Sequence, residues 1–98
     1  MIEVVREGAD AVVYLRGEGD MASCELWRQA IQPLLGPDET VVIDLGAVTF
    51  MDSSCLAVLV HGRSVQDEQG GKFVVRNPTE TTRKVLAVSG LEFLLDAD

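Results

Sequence analysis

Apolar and polar positions change their spacing several times along the chain, and these changes mark predicted strands and helices. Residues 2–6 and 11–16 are rich in apolar side chains and flank a short turn with Gly8, which predicts a β-hairpin. Residues 40–45 and 72–76 are short, rich in β-branched side chains, and predict two further strands. The nearly continuous apolar run in the third strand is typical of a strand covered on both faces.

Apolar residues recur at helical spacing after the hairpin. Residues 21–35 predict a helix with apolar side chains on one side. Asp20 or Ser23 is the candidate N-terminal cap, and Gly36-Pro37 is the predicted stop.

Two more helices complete the predicted order of elements. The second follows the triplet D-S-S and runs to about Gln69, where two glycines end it, and the third covers residues 79–88. Residues 91–95 fit either a short helix or an edge strand. The order β-β-α-β-α-β-α predicts an α/β fold, with helices mainly on one face of a mixed sheet of four to five strands. We expect one domain over residues 1–98, because this length suffices for a single core.

Composition and charge narrow the class of protein. Apolar residues make up 47% of the chain and charged residues 24%, as in globular domains. No apolar run is long enough to span a membrane, and the N-terminal segment lacks the features of a signal peptide. We therefore expect a cytoplasmic protein. The net charge of −8 argues against nucleic acid as a partner and favours a protein.

Metal-binding and catalytic patterns are missing from the sequence. One histidine and two cysteines show no metal-ligand spacing, so we expect neither a metal nor another cofactor. In a reducing compartment Cys24 and Cys55 would remain thiols. The serines lack the G-x-S-x-G pattern of a hydrolase, and no Gly-rich phosphate loop is present, so we do not expect an enzyme.

The triplet Asp52-Ser53-Ser54 lies where the third strand gives way to the second helix. Side chains of these types cap the first turn of helices, and the N–H groups at a helix start make the position a candidate anion site. From the pattern alone, an N-cap cluster and a phosphorylation site are both open.

Three segments at matching distances carry a resemblance to a known family. They are V-V-I-D-L-G-A-V-T-F-M-D-S-S-C-L-A-V-L, G-G-K-F-V-V-R-N-P and V-L-A-V-S-G-L. In addition, G-E-G-D at residues 17–20 is similar to the G-E-x-D turn before the first helix of that family. On these residues the chain resembles the STAS domain of bacterial anti-sigma factor antagonists over nearly its whole length.

The resemblance implies a phosphorylation switch. In this family the unphosphorylated antagonist docks on an anti-sigma factor that is also a serine kinase, which frees the sigma factor. The kinase then phosphorylates the second serine of the triplet, here Ser54, and a serine phosphatase restores docking. The predicted partner-binding residues are Asp20, Asp52, Ser53, Ser54, Cys55 and Arg63. We expect a monomer or a weak dimer.

Two alternatives concern the same region. Cys55 stands where the family usually has glycine or another small residue, and a thiol at a helix start is either reactive or a small core filler. A second alternative for the whole chain is a STAS scaffold, or a module that senses a nucleotide or another small ligand at the triplet.

Three residues elsewhere in the chain are expected to have no direct part in function. Trp27 is expected to be half-buried on the flank of the first helix, and His61 to face solvent on the second. Asp44 is interpreted as a surface residue at a strand edge.

Overall fold

The computed structural model describes residues 2–95, whose element order confirms the predicted α/β fold. The strands are β1 (Ile2–Glu7), β2 (Asp10–Gly19), β3 (Thr40–Met51) and β4 (Lys72–Arg76). The helices are α1 (Met21–Ile31), α2 (Ser53–Gln69) and α3 (Glu80–Val88), with 3₁₀ turns at Gln32–Leu34 and Glu92–Leu95. The last apolar segment was expected to form either a short helix or an edge strand, and it forms the short 3₁₀ helix. None of the helices within residues 2–95 has the length and apolar character needed to cross a membrane.

The strands of this part of the chain form one mixed sheet in the order β1-β2-β3-β4. β1 pairs with β2 in antiparallel orientation, and β2 with β3 and β3 with β4 in parallel orientation. Each parallel pair is joined by a crossover helix, α1 or α2. Because right-handed crossovers that proceed in one direction place their helices on the same side, both helices cover one face of the sheet.

β2 and β3 are longer than the sequence predicted. Their pairing continues past a register shift near Tyr14 and Arg16 and ends only where Gly19 meets Met51. The apolar alternation weakens in these last residues, so hydrophobic spacing alone could not reveal that the backbones still pair. The extension carries both strands to the starts of the two helices that follow them.

The apolar core lies between the sheet and its helices. Alternate residues of the central strands point into it, as the period of two in a strand requires. The helices contribute Trp27, Ile31, Cys55, Leu56, Leu59 and Leu86. Trp27 is only 2% exposed, so it belongs fully to the core and is not the half-buried residue expected.

The opposite face of the sheet carries a polar network. Asp44 is only 7% exposed, and its carboxylate accepts hydrogen bonds from Arg76 Nε at 2.9 Å and from the Gly46 N–H at 2.9 Å. Arg76 also donates to the Tyr14 hydroxyl at 3.0 Å, and that hydroxyl is hydrogen-bonded to Glu7. The interpretation of Asp44 as an edge residue was wrong, because β3 is a central strand and the carboxylate is paired across it.

Close contacts fix α2 on the sheet. Gly62 lies against the ring of Phe73, where a Cβ atom would come within 2.5 Å of Cε2. Gln66 is fully buried, and its side chain accepts a hydrogen bond from the Gly36 N–H at 2.8 Å and donates one to the Glu39 carbonyl at 2.9 Å. A bulkier residue in place of Gly62 would overlap the Phe73 ring, and an apolar residue in place of Gln66 would lose both hydrogen bonds.

Candidate functional site

The carboxyl ends of β2 and β3 lie side by side, and each leads directly into a helix. The N–H of Asp52 donates a hydrogen bond to the carbonyl of Gly19 at 2.9 Å. This contact places Asp20 beside Asp52 at the starts of α1 and α2. We refer to Asp20 and residues 52–55 as the corner. Gly19 itself has no room for a side chain, because a Cβ atom would lie 2.7 Å from Trp27 Cη2 and 3.0 Å from Cys55 Sγ.

Asp52 is the N-cap of α2 and orients Ser54. Its Oδ1 atom accepts hydrogen bonds from the N–H groups of Ser54 at 3.0 Å and Cys55 at 3.2 Å. The same oxygen accepts a hydrogen bond from the Ser54 hydroxyl at 2.6 Å. The bond from this hydroxyl is the main reason that the pKa of Asp52 is lowered, and the two N–H bonds add to the effect. The carboxylate is therefore ionised at neutral pH and holds the hydroxyl in one direction.

This cap corrects the expectation of an anion site at the start of α2. The N–H groups of Ser54 and Cys55 already point at the Asp52 carboxylate. The backbone bond from Asp52 to Gly19 places the Asp20 carboxylate nearby, and its charge opposes the lowering of the Asp52 pKa. An incoming anion would meet carboxylates rather than free N–H groups, so the corner is an acidic surface.

Asp20 caps α1 in the same manner. Its Oδ1 atom accepts a hydrogen bond from the Ser23 N–H at 2.8 Å, so Asp20 and not Ser23 is the cap. The pKa of Asp20 is lowered, first by this backbone hydrogen bond and then by the Ser23 hydroxyl. The side chain is exposed, and an ionised carboxylate thus faces solvent at the corner.

Cys55 fills space below the corner. The residue is fully buried, and its thiol contacts the Asp20 carbonyl at 3.6 Å. Burial, with smaller effects of Cys24 and Asp52, raises the pKa of Cys55 to about 12. The thiol is therefore protonated at neutral pH, which favours the core-filling alternative over an activated thiolate.

Two exposed apolar residues adjoin the corner, and the sequence analysis did not single them out. Met21, the first residue of α1, is 76% exposed, and Phe50, near the end of β3, is 47% exposed. The only signal in the sequence was their position, one after Asp20 and the other in the F-M pair before Asp52. Protein interfaces combine apolar contact area with polar surroundings, so these two side chains make the corner a candidate docking surface.

Arg63 lies apart from the corner. It is more than two turns further along α2 than Ser54, about 14 Å along the helix axis. Its side chain donates to the Phe93 carbonyl at 3.0 Å and to Asp67 at 3.3 Å, and its guanidinium lies 5.4 Å from the centre of the Phe93 ring. Arg63 thus attaches the Glu92–Leu95 turn to α2, and a role in partner binding stays a prediction. His61 is exposed on the same helix.

Metal-binding residues are not brought together in the part of the chain described. Among residues 2–95, no group of three or more His, Cys, Asp or Glu side chains is arranged to hold a metal ion.

A mixed sheet whose two crossover helices begin side by side, with a D-S-S triplet at one start, defines the class of the domain. Residues 2–96 match the sequence profile of the family described as Mlab, STAS domain. The chain belongs to the STAS-domain family, which confirms the resemblance predicted from the sequence.

Individual relatives agree with this assignment. The chain is 28% identical over 95 residues to the anti-sigma-B factor antagonist of Bacillus subtilis (strain 168), covering 97% of this chain and 87% of that protein. The crystal structure of an anti-sigma factor antagonist from Mycobacterium paratuberculosis superposes with a TM-score of 0.82 at 28% identity, covering 97% of this chain and 81% of that one. The Bacillus cell fate determinant SpoIIAA in its phosphorylated form has the same fold, with a TM-score of 0.73 at 24% identity, covering 98% of this chain and 89% of that one.

Proposed function

We propose that this chain is an anti-sigma factor antagonist that is switched by phosphorylation of Ser54. The corner docks on an anti-sigma factor with serine kinase activity, and docking releases the sigma factor in the cytoplasm. Phosphorylation of Ser54 ends docking, and a serine phosphatase restores it. The observation that carries the proposal is the Ser54 hydroxyl, held 2.6 Å from Asp52 in a corner flanked by exposed apolar side chains.

The surface around the corner suits a protein partner of complementary chemistry. Asp20 and Asp52 form its acidic centre, Glu18 is exposed nearby, and neither aspartate has an ion-pair partner within residues 2–95. Met21 and Phe50 supply apolar contact area beside this charge. The partner surface should therefore combine basic side chains with an apolar recess.

The orientation of the two serines favours Ser54 as the phosphate acceptor. Because the Ser54 hydroxyl donates its proton to Asp52, the lone pairs of Oγ are left free for an incoming phosphoryl group. Phosphoryl transfer depends chiefly on such positioning of the nucleophile. Ser53 is exposed and is next to Ser54, but no comparable hydrogen bond to its side chain occurs in the described residues.

A phosphate on Ser54 would change the corner without disturbing the core. The phosphorylated oxygen has no proton to donate to Asp52, and the group adds a charge of about −1.5 to −2 at pH 7. The nearby N–H groups are occupied by Asp52, so repulsion from Asp52 and Asp20 directs the phosphate outward into the docking surface. Cys55 and the residues below it stay buried, and the switch thus acts on the partner rather than on the fold.

The alternative of a nucleotide sensor is less favoured by this geometry, because phosphate groups would approach two carboxylates.

A scaffold role is distinguished from the switch by experiment. The chain is incubated with its cognate anti-sigma factor and ATP, phosphorylation is mapped by mass spectrometry, and docking is measured by titration. Phosphate on Ser54 and loss of docking after full modification support the proposal.

Three variants sharpen this test. Ser54→Ala should fold, resist phosphorylation and dock constitutively, and Ser54→Asp should fold but dock poorly. Ser53→Ala is the matched control, which removes the neighbouring hydroxyl and should still be phosphorylated at Ser54. Phosphate on another residue, or docking that survives full modification of Ser54, would contradict the switch and favour the scaffold.

A further inference from the structure

The two cysteines lie together beneath the corner although they are far apart in sequence. Cys24 Sγ contacts the carbonyl oxygen of Met21 at 3.2 Å, and Cys55 Sγ contacts that of Asp20 at 3.6 Å. These carbonyls belong to consecutive residues, so both sulfur atoms lie at the first turn of α1. After burial, the next largest contribution to the raised pKa of the Cys55 thiol comes from Cys24, as expected for neighbouring sulfur atoms. The two thiols therefore lie near each other where the starts of α1 and α2 pack together.

We infer that Cys24 and Cys55 are the site of an intramolecular disulfide bond, formed when the folded protein is exposed to a hydroperoxide. Both residues are free thiols in this structure, with Cys24 half-buried and Cys55 buried. The difference in exposure separates their roles. Cys24 is the thiol that the oxidant reaches, and Cys55 is the thiol that completes the bond.

The reaction proceeds in two steps that balance. The Cys24 thiolate attacks the hydroperoxide, an S–O bond forms as the O–O bond breaks, and the leaving oxygen takes a proton to become water or an alcohol. The sulfur of Cys55 then attacks the resulting Cys24 sulfenic acid, the S–S bond forms as the S–O bond breaks, and the departing oxygen leaves as water with the Cys55 proton. The two thiols lose two electrons in total, and the hydroperoxide gains them.

The surroundings of Cys55 agree with its role as the second thiol to react. Burial, followed by effects of Cys24 and Asp52, raises the pKa of Cys55, so this thiol is a poor first nucleophile at neutral pH. Its reaction depends on contact with an oxidised Cys24, and it should become faster as the pH rises. The Cys24 thiol meets the oxidant from the partly exposed side of α1.

The bond would join the two helix starts that carry Asp20 and Asp52. Its formation needs no partner protein, so the inference is tested independently of the proposed docking function. Only the consequence for docking, a fixed spacing of the two carboxylates, rests on that function.

The test is oxidation of the purified full chain by hydrogen peroxide, followed by thiol titration and peptide mapping. We expect loss of both free thiols, a mass lower by two hydrogen atoms, and a crosslinked peptide pair containing Cys24 and Cys55. Under denaturing conditions without reductant, the chain should still migrate as a monomer. Dithiothreitol should reverse the change. Crosslinking in the native chain should be about tenfold or more faster than in the urea-unfolded chain, because the fold holds the two sulfur atoms together.

Two variants provide the controls. Cys24→Ser should lose the crosslink and leave Cys55 unreacted, whereas Cys55→Ala should leave Cys24 to accumulate as sulfenic or sulfinic acid. The inference is overturned by any of three results: disulfides only between two chains, Cys24 oxidised to sulfinic acid with Cys55 still free in the unmodified chain, or crosslinking no faster in the native chain than in urea.

Discussion

Asp20 and Asp52 are the N-caps of neighbouring helices and have nearly the same backbone conformation, with φ −93° and ψ −177° at Asp20 and φ −93° and ψ −180° at Asp52. Each carboxylate binds N–H groups of its own helix, and the backbone bond from Asp52 to Gly19 holds the two caps side by side. Two like charges are thus kept close together by structural hydrogen bonds. The hydrogen bonds stabilise the fold, and the proposed role of the two carboxylates in recognition is separable from it by experiment.

Replacement of Asp20 by Asn should weaken docking far more than it lowers the stability of the fold. Asn caps a helix about as well as Asp, so the Ser23 N–H keeps its acceptor while the corner loses a negative charge. Titration with the anti-sigma factor should show weaker binding, with a stronger dependence on salt in the parent chain than in the variant. Glu68→Gln, a neutralised exposed acid near the far end of α2, is the control and should bind like the parent. Equal affinity of Asp20→Asn and the parent would leave Asp20 as a cap only.

Acid should destabilise the fold through the same two carboxylates. The pKa values of Asp20 and Asp52 are lowered in the folded chain, so their contribution to stability is complete above the unfolded pKa of about 3.9. That contribution is lost as the pH falls through the lower folded values. The thermal midpoint, followed by circular dichroism, should therefore drop as the pH decreases below about 4. In the double variant with Asn at both positions this part of the drop should disappear, and an unchanged acid profile would contradict the assignment.

Replacement of Asp52 by Asn should slow phosphorylation of Ser54 without unfolding α2. The amide oxygen can still cap the helix, but it binds the Ser54 hydroxyl more weakly than a carboxylate does. We expect kcat of the kinase for this substrate to fall about tenfold, which is the expected effect of replacing a charge-assisted hydrogen bond by a neutral one. Asp20→Asn, which leaves the Asp52 bond intact, separates the effects, since it should raise KM and spare kcat. An undiminished kcat for Asp52→Asn would show that Asp52 does not position the acceptor.

Replacement of Gly62 by Ala should destabilise the domain although alanine favours helices. The added methyl group would overlap the buried Phe73 ring, and overpacking of this kind costs about 1–3 kcal/mol. The helix preference of alanine returns up to about 1 kcal/mol. Because the added Cβ would lie 2.5 Å from Cε2 and 2.8 Å from Cζ of Phe73, we expect the overpacking cost to exceed this return and leave a net loss. Urea unfolding measures the difference. Ser64→Ala, at an exposed position of the same helix, should change stability by less than about 0.5 kcal/mol.

Replacement of Gln66 by Leu tests the polar contacts that attach α2 to Gly36 and Glu39. The variant removes the acceptor of the Gly36 N–H and leaves this group without its partner, which costs about 1–3 kcal/mol. The Glu39 carbonyl loses the Gln66 donor but keeps the Lys72 N–H at 2.8 Å. Urea unfolding should therefore show a loss in this range with an unchanged m-value. A variant as stable as the parent would mean that water replaces the lost contact.

The sequence predicted the order of elements and the location of the corner, because both depend on local spacing and on a distinctive triplet. The ends of β2 and β3 were not predictable from apolar alternation, since their last residues are held by backbone pairing across a register shift. The sequence also did not reveal whether the N–H groups at the start of α2 already have a hydrogen-bond acceptor. The residue types are compatible both with amides bound by Asp52 and with amides left for an anion, and only the structure shows that Asp52 binds them.

Single-residue environments were the least predictable part. The burial of Asp44 was not predictable, because its partner Arg76 lies on β4, which follows β3 only after the whole of α2. The contact of Arg63 with Phe93 joins α2 to the end of the described chain, and neither residue signals the other. Met21 and Phe50 resemble core residues in composition, and only their solvent exposure distinguishes them.

The pairing between the ends of β2 and β3 also governs when the corner comes into existence. Asp20 and Asp52 are separated in the chain by a helix and a strand, so closing this contact carries the entropic cost of a non-local loop. A chain still emerging from the ribosome, or one that has lost its fold, contains the D-S-S triplet without the carboxylate pair or the oriented hydroxyl. Under the proposed function, a kinase that recognises the assembled corner would therefore act only on folded copies of this chain. Unfolded chains would neither bind the anti-sigma factor nor consume ATP.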